Sequence, residues 1–118
     1  MLEHELYTII EITGNAVRIR VNSESAIFRG HFPGNPITPG VCQVGIIGEL
    51  AGKICGVSLV LREVKALKFV AILRPSDGEV VVKFDKLDED GGVVIAKGSV
   101  VSDDQVFTKF SLLFGKEV

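Results

Sequence analysis

The chain has 118 residues, with 13 Lys+Arg against 15 Asp+Glu and a formal net charge of −2, which allows one domain with a modest core and no second domain. No basic run is present, so nucleic acid is excluded as a partner; the 47% of hydrophobic residues fall in short runs, none near the ~20 apolar residues of a membrane span. The opening MLEHELYTII carries acidic residues where an export signal needs basic ones, so a cytoplasmic protein is expected.

Residues 5–12 and 15–21 read as a hairpin about Thr13-Gly14-Asn15, with Val17, Ile19 and Val21 alternating with Arg18 and Arg20, the pattern of a strand with one buried and one wet face. A loop rich in glycine and proline follows, then a helix from about Val41 to Cys55, with Gly56 at the position that commonly ends one. Strands are expected near 58–73, 79–87, 93–101 and 106–114, separated by the turn clusters RPSDG, DEDGG and SDDQ. The last alternates Val106, Thr108, Phe110, Leu112 and Phe114 against Phe107, Lys109, Ser111 and Leu113; with both faces largely apolar, it belongs inside a sheet rather than at its edge.

At about 100° per residue, Val44, Ile46, Ile47, Leu50, Ala51, Ile54 and Cys55 cover more than half of the helix, wider than the stripe of a surface helix, so the helix is mostly enclosed. Val41, Gly45, Gly48 and Gly52 stack on the remaining face beside Glu49 and Lys53. Each internal glycine costs about 1 kcal/mol against alanine, so this face requires a close approach by something. Cys42 and Cys55 point to different faces and cannot pair within the helix, and neither has a metal-ligand partner at suitable spacing. Gln43 falls in the apolar sector, where it bonds backbone or a polar group of a substrate.

The loop HFPGNPITPGV, His31 to Val41, is a positioning device. Pro33, Pro36 and Pro39 each fix φ and remove a donor. His31, with a pKa ordinarily near 6.5, suits a general base at neutral pH. The Gly40 and Val41 amides at the helix start suit an oxyanion, and this reading of Gly40 is preferred to a plain Pro-Gly turn with glycine at positive φ. A base beside an oxyanion site is an enzyme's arrangement. His4 stands without such a context and is expected to be solvated.

Gly30 to Val41, GHFPGNPITPGV, followed by a helix, resembles the signature of the hot-dog-fold 3-hydroxyacyl-[acyl carrier protein] dehydratases. The resemblance implies a single α+β domain over residues 1–118, one long helix wrapped by a twisted antiparallel sheet. It implies a lyase that converts 3-hydroxyacyl thioesters, on acyl carrier protein or coenzyme A, to trans-2-enoyl thioesters in fatty-acid-like, polyene or polyketide synthesis. It further implies a homodimer with active sites at the interface, His31 from one subunit facing the helix acid of the other, with Phe32, Gly40, Val41 and Gly45 against the substrate. The chain departs from the family at one point: the helix acid is expected fourteen residues after the histidine, and Gly45 stands there. Glu49, one turn on, is the carboxylate that can reach back as the acid, or else pairs with Lys53 as an ordinary i,i+4 ion pair. The glycine face is then either tight packing, against the sheet or a second subunit's helix, or a slot for an acyl chain. Two alternatives use the same fold: a thioesterase in which Glu49 activates water, and a non-catalytic acyl-binding or partner subunit that has lost the acid. No cofactor is implied, since neither a dinucleotide fingerprint nor GxxxxGK[ST] occurs. Arg29, Arg62, Lys65, Lys68 and Arg74 are the basic residues available to an acidic carrier protein.

Overall fold

A computed structural model describes residues 1–30, 34 and 36–117. Six strands form one antiparallel sheet: β1 (Tyr7–Thr13), β2 (Ala16–Val21), β3 (Leu59–Phe69), β4 (Glu79–Asp90), β5 (Val93–Ser102) and β6 (Gln105–Lys116), in the order β1-β2-β4-β5-β6-β3. A short helix α1 (Ile27–Gly30) precedes the long helix α2 (Gly40–Cys55).

The β1–β2 turn is two residues long, Thr13 facing Ala16 across it, and Gly14 supplies the positive φ of 59° that such tight hairpins require. On β2, Val17, Ile19 and Val21 are buried and Arg18 and Arg20 are exposed, as the alternation predicts. Helix α2 ends where glycine allows it: Gly56 adopts φ 74°, ψ 26°, a left-handed cap. Ile46, Ile47, Leu50 and Ala51 are at most 3% exposed and face a core built from β2, β4, β5 and β6. Strand β6 lies between β5 and β3, inside the sheet as its two apolar faces demand; its Thr108, Phe110, Leu112 and Phe114 are buried, whereas Ser111 and Leu113 are half-buried and Lys109 is exposed.

Two strand ends lie more than two residues from where the sequence suggests, and RPSDG makes its turn as expected. β3 stops at Phe69 rather than 73, because the Val70 and Ala71 amides both turn to the Phe107 carbonyl and break the ladder. The acidic cluster before Gly91-Gly92 extends β4 rather than ending it: Asp88, Glu89 and Asp90 pair with Ile95, Val94 and Val93, and only the two glycines, at φ 57° and 91°, make the turn. RPSDG is one 3-10 turn, Pro75–Asp77, closed by the Asp77 carboxylate accepting from the Arg74 amide at 2.7 Å. Helix α1 carries no expectation from the sequence, being four residues long.

Gly98 on β5 faces Phe84 and Phe110 across its two ladders, whose rings meet edge to face at 5.7 Å. A Cβ on Gly98 would lie 1.8 Å from the Lys83 carbonyl oxygen. Gly98→Ala is therefore expected to destabilise by about 1–3 kcal/mol, seen as a lower urea midpoint; an unchanged midpoint would mean that β4 and β5 do not approach so closely.

Candidate active site

Helix α2 positions the site because its two sides do different work. Its apolar side is anchored in the core, and its first turn is anchored through polar groups. The buried Gln43 side chain accepts from the Thr108 hydroxyl at 2.5 Å and donates through Nε2 to the Thr38 carbonyl at 3.4 Å. The Thr38 amide donates to the Leu73 carbonyl at 2.7 Å. The loop is thus fixed to β6 and to the segment after β3 immediately before the helix begins, so Gln43 bonds backbone, one of the two roles expected for it.

Gly40 and Val41 open α2, and among the described residues neither amide has a hydrogen-bond partner; Val41 is 80% exposed. Such amides carry partial positive charge and suit an anion. Gly40 lies in the helix and not at positive φ, which corrects the plain-turn account of this glycine. Its requirement is space: a Cβ would sit 2.5 Å from the Phe69 ring. His31 and Phe32 lie outside the described residues.

The glycine face forms the floor of an open groove of about 810 Å³, lined among others by Val41, Val44, Leu59, Leu61 and Phe114. Each glycine answers to a neighbour within the chain: an added Cβ would lie 3.0 Å from the Phe114 ring at Gly48, 2.7 Å from the Val57 carbonyl oxygen at Gly52 and 2.7 Å from Leu2 Cδ1 at Gly45. Tight packing within the chain accounts for each of these glycines, and the close approaches leave the groove open beside them.

Glu49 lines the groove, but its carboxylate is engaged by the first residues of the chain. It accepts from the Leu2 amide at 2.7 Å, the Glu3 amide at 3.1 Å and the Tyr7 hydroxyl at 2.9 Å. Lys53 pairs with Glu3 at 2.9 Å, so the expected i,i+4 pair between Glu49 and Lys53 is replaced: Glu3 brings a nearer carboxylate, and the two backbone amides and the phenol claim Glu49. Tyr7 is fully buried, and burial, then the Glu49 hydrogen bond and charge, push its phenol well above the ordinary range. Leu2, Tyr7, Phe69 and Thr108 carried no signal of their own in the sequence, since each acts through a partner distant along the chain. Cys42 and Cys55 are free and half-buried; burial raises both thiols, with Glu89 adding to the effect at Cys55. The His4 side chain is 79% exposed, as expected. Among the described residues no helix is long and apolar enough to cross a membrane.

The ApeI-like family, described as ApeI dehydratase, matches residues 11–103. The chain belongs to the ApeI-like dehydratase family. Among curated relatives, the FabZ 3-hydroxyacyl-[acyl-carrier-protein] dehydratase of Latilactobacillus sakei is 37% identical over 64% of this chain, and the match spans 60% of that protein's length. The FabZ of Thermoanaerobacter sp. is 32% identical over 89% of this chain and 79% of its own. The dehydratase heterocomplex ApeI:P of Xenorhabdus doucetiae superposes with a TM-score of 0.62 at 19% identity, covering 92% of this chain and 94% of that one. A thioesterase from Haemophilus influenzae superposes with a TM-score of 0.68 at 15% identity over 98% and 81%. These likenesses establish the hot-dog fold for this ApeI-like chain. Leu2 occupies the space beside Gly45.

Tyr7 is the single tyrosine, so phenolate absorbance reports on it alone. Because its folded pKa is raised, the stability that it contributes is fully present below the unfolded value of about 10 and is lost as pH rises above it. Phenolate should therefore appear only together with alkaline unfolding, and Glu49→Gln should bring both to lower pH. Ionisation of Tyr7 near pH 10 in a still-folded chain would contradict the bond to Glu49.

Proposed function

We propose that the protein removes water from 3-hydroxyacyl thioesters, carried on acyl carrier protein or coenzyme A, giving trans-2-enoyl thioesters. The observation that carries this reading is that Gly40 and Val41, whose amides have no partner among the described residues, open the helix whose glycine face floors an apolar groove that Val41 lines. A thioester carbonyl seated on those amides directs its acyl chain into the groove. His31 takes the proton from C2, the amides hold the developing enolate oxygen, and the C3–O bond breaks as the hydroxyl takes a proton and leaves as water. Phe32 and Gly45 are assigned to substrate binding.

Glu49 is assigned that proton, as the carboxylate of α2 that lines the groove. To deliver it, the protonated carboxyl must give up one of its three present donors. That engagement favours a second reading, an acyl-binding partner subunit without chemistry. Mass spectrometry of a 3-hydroxyacyl carrier thioester after incubation separates the readings: loss of water, release of free acid as by a thioesterase, or neither. Loss of water is expected, abolished in His31→Ala with the fold retained and slowed at least ~100-fold in Glu49→Gln. Wild-type rates in His31→Ala would remove the proposed base; a nearly neutral Glu49→Gln would move the acid to another strand or to water.

A homodimer and a cytoplasmic setting belong to the same proposal. Among the described residues β3 is paired on one side only, by β6, and it exposes Val60, Leu61, Val64 and Phe69 at 38–49%, an apolar edge that a second copy would cover. Light scattering should give a dimer, and a stable, active monomer would contradict the shared site. Arg62, Lys65 and Lys68 on the same strand, with Arg29, are exposed and Arg74 is half-buried; charge reversal at all five and added salt should weaken binding of an acidic carrier, and indifference to both would dismiss these residues.

A further inference from the structure

The groove beside α2 has a wall that the proposed chemistry leaves unused. Leu59 and Leu61 of β3 both line it, as does Phe114 of β6. Side chains two apart on a strand share a face, and the ladder is regular between the two leucines, its first irregularity falling after Leu61. They therefore form one wall, with each at its own depth along the helix. Leu61 shares its rung of the ladder with Phe114, whose ring would lie 3.0 Å from a Cβ added to Gly48; Leu59 Cγ would lie 3.9 Å from one added to Gly52. At 1.5 Å per residue, Gly48 is about 10 Å beyond Val41 and Gly52 about 16 Å. The charged residues lining the groove on α2 are already engaged, Glu49 by three donors and Lys53 by Glu3. The leucine wall is the apolar side open to an occupant, Leu61 being 40% exposed and Leu59 half-buried.

We propose, resting on the reading of the groove as the seat of an acyl thioester, that Leu61 and Leu59 are specificity-determining residues that meet the acyl chain at two successive depths, Leu61 at that of Gly48 and Leu59 at that of Gly52. The helix contributes no side chain at either depth, so the width left there is set from the strand. A ring in place of either leucine adds volume on the groove side and stops the chain at that depth. Each methylene then kept out of the groove forfeits about fourfold in binding. Neither leucine is among the residues that hold Glu49 or the start of α2 by hydrogen bonds, so both can be changed without touching the assigned acid or the Gly40 and Val41 amides.

The test uses the full chain and a series of pantetheine thioesters with short, medium and long acyl chains. Two quantities are read: kcat/KM on the 3-hydroxyacyl series and the dissociation constant of the saturated series, which undergoes no dehydration. Leu59→Phe should weaken the long chains at least ~10-fold relative to the short in both quantities, with the medium chains unchanged. Leu61→Phe should weaken the medium and the long chains alike, and neither variant should alter kcat on the short substrate. Leu59→Met and Leu61→Met, which conserve volume, should give the same order of breaks with smaller factors, and they carry the test if a ring lowers Tm. If the wild type turns over no thioester but saturated binding breaks in this order, the leucine wall stands and the dehydratase reading falls. If turnover occurs and no variant moves a ratio while Tm matches the wild type, the wall is overturned and the dehydratase reading stands. A break at the same chain length for both positions, a uniform loss in all four variants, or a break that follows loss of a dimer in light scattering would also overturn it. Absence of both binding and turnover in the wild type would overturn both.

Discussion

Everything at the candidate site hangs from the seating of α2 across the sheet. Ile46, Ile47, Leu50 and Ala51 are at most 3% exposed, and burying side chains of this size, at about 25 cal/mol per Å² of apolar surface, is the main force fixing the helix. The constraint is steric as well as apolar. With Phe114 at 3.0 Å from the would-be Cβ of Gly48 and the Val57 carbonyl at 2.7 Å from that of Gly52, a side chain at Gly48 would press on β6 and one at Gly52 on the turn that follows the helix, and either would alter the groove. Glycine, unfavourable within a helix by about 1 kcal/mol, is here the condition for the helix lying where it does.

Two polar ties convert that seating into direction. Gln43, held by the Thr108 hydroxyl and the Thr38 carbonyl, joins β6 to the loop before the helix, so the Gly40 and Val41 amides take their aim from that strand. Hydrogen bonds of this kind contribute about 1 kcal/mol each but cost more when a buried partner is removed, which makes them better at specifying geometry than at adding stability. Glu49 is the second tie, and as a charged acceptor with three donors it is worth more. It anchors the turn that carries Leu2 onto the glycine face. The same carboxylate is the proposed acid, so the anchoring of the turn and the supply of a proton are linked through one side chain.

How much of this was legible in the sequence depends on whether the signal is local. Helix α2, its stop at Gly56 and the interior place of β6 follow from periodicity and composition, which the fold obeys. The end of β3 at Phe69 does not, because it is decided by two amides turning to Phe107. The acidic residues 88–90 look like a turn but pair as strand, because the ladder to Val93, Val94 and Ile95 outweighs their weak strand preference. At the site, the glycine face and Gly40 were legible as demands for space, though nothing local names Leu2, Phe69 or Phe114 as what approaches. Glu49 was legible as the carboxylate of α2. Its partners were not, since they come from residues more than forty positions away.

The central claim is that the Gly40 and Val41 amides and the glycine face form one continuous seat for an acyl thioester. Titrating the full chain with a saturated acyl pantetheine thioester and following backbone amide resonances tests it most directly. The Gly40, Val41, Gly45 and Gly48 amides should shift together along one saturation curve, with Thr13 and Gly14 at the remote hairpin unmoved. Shifts confined to other surfaces, or none at Gly40 and Val41 when the ligand is bound, would contradict it.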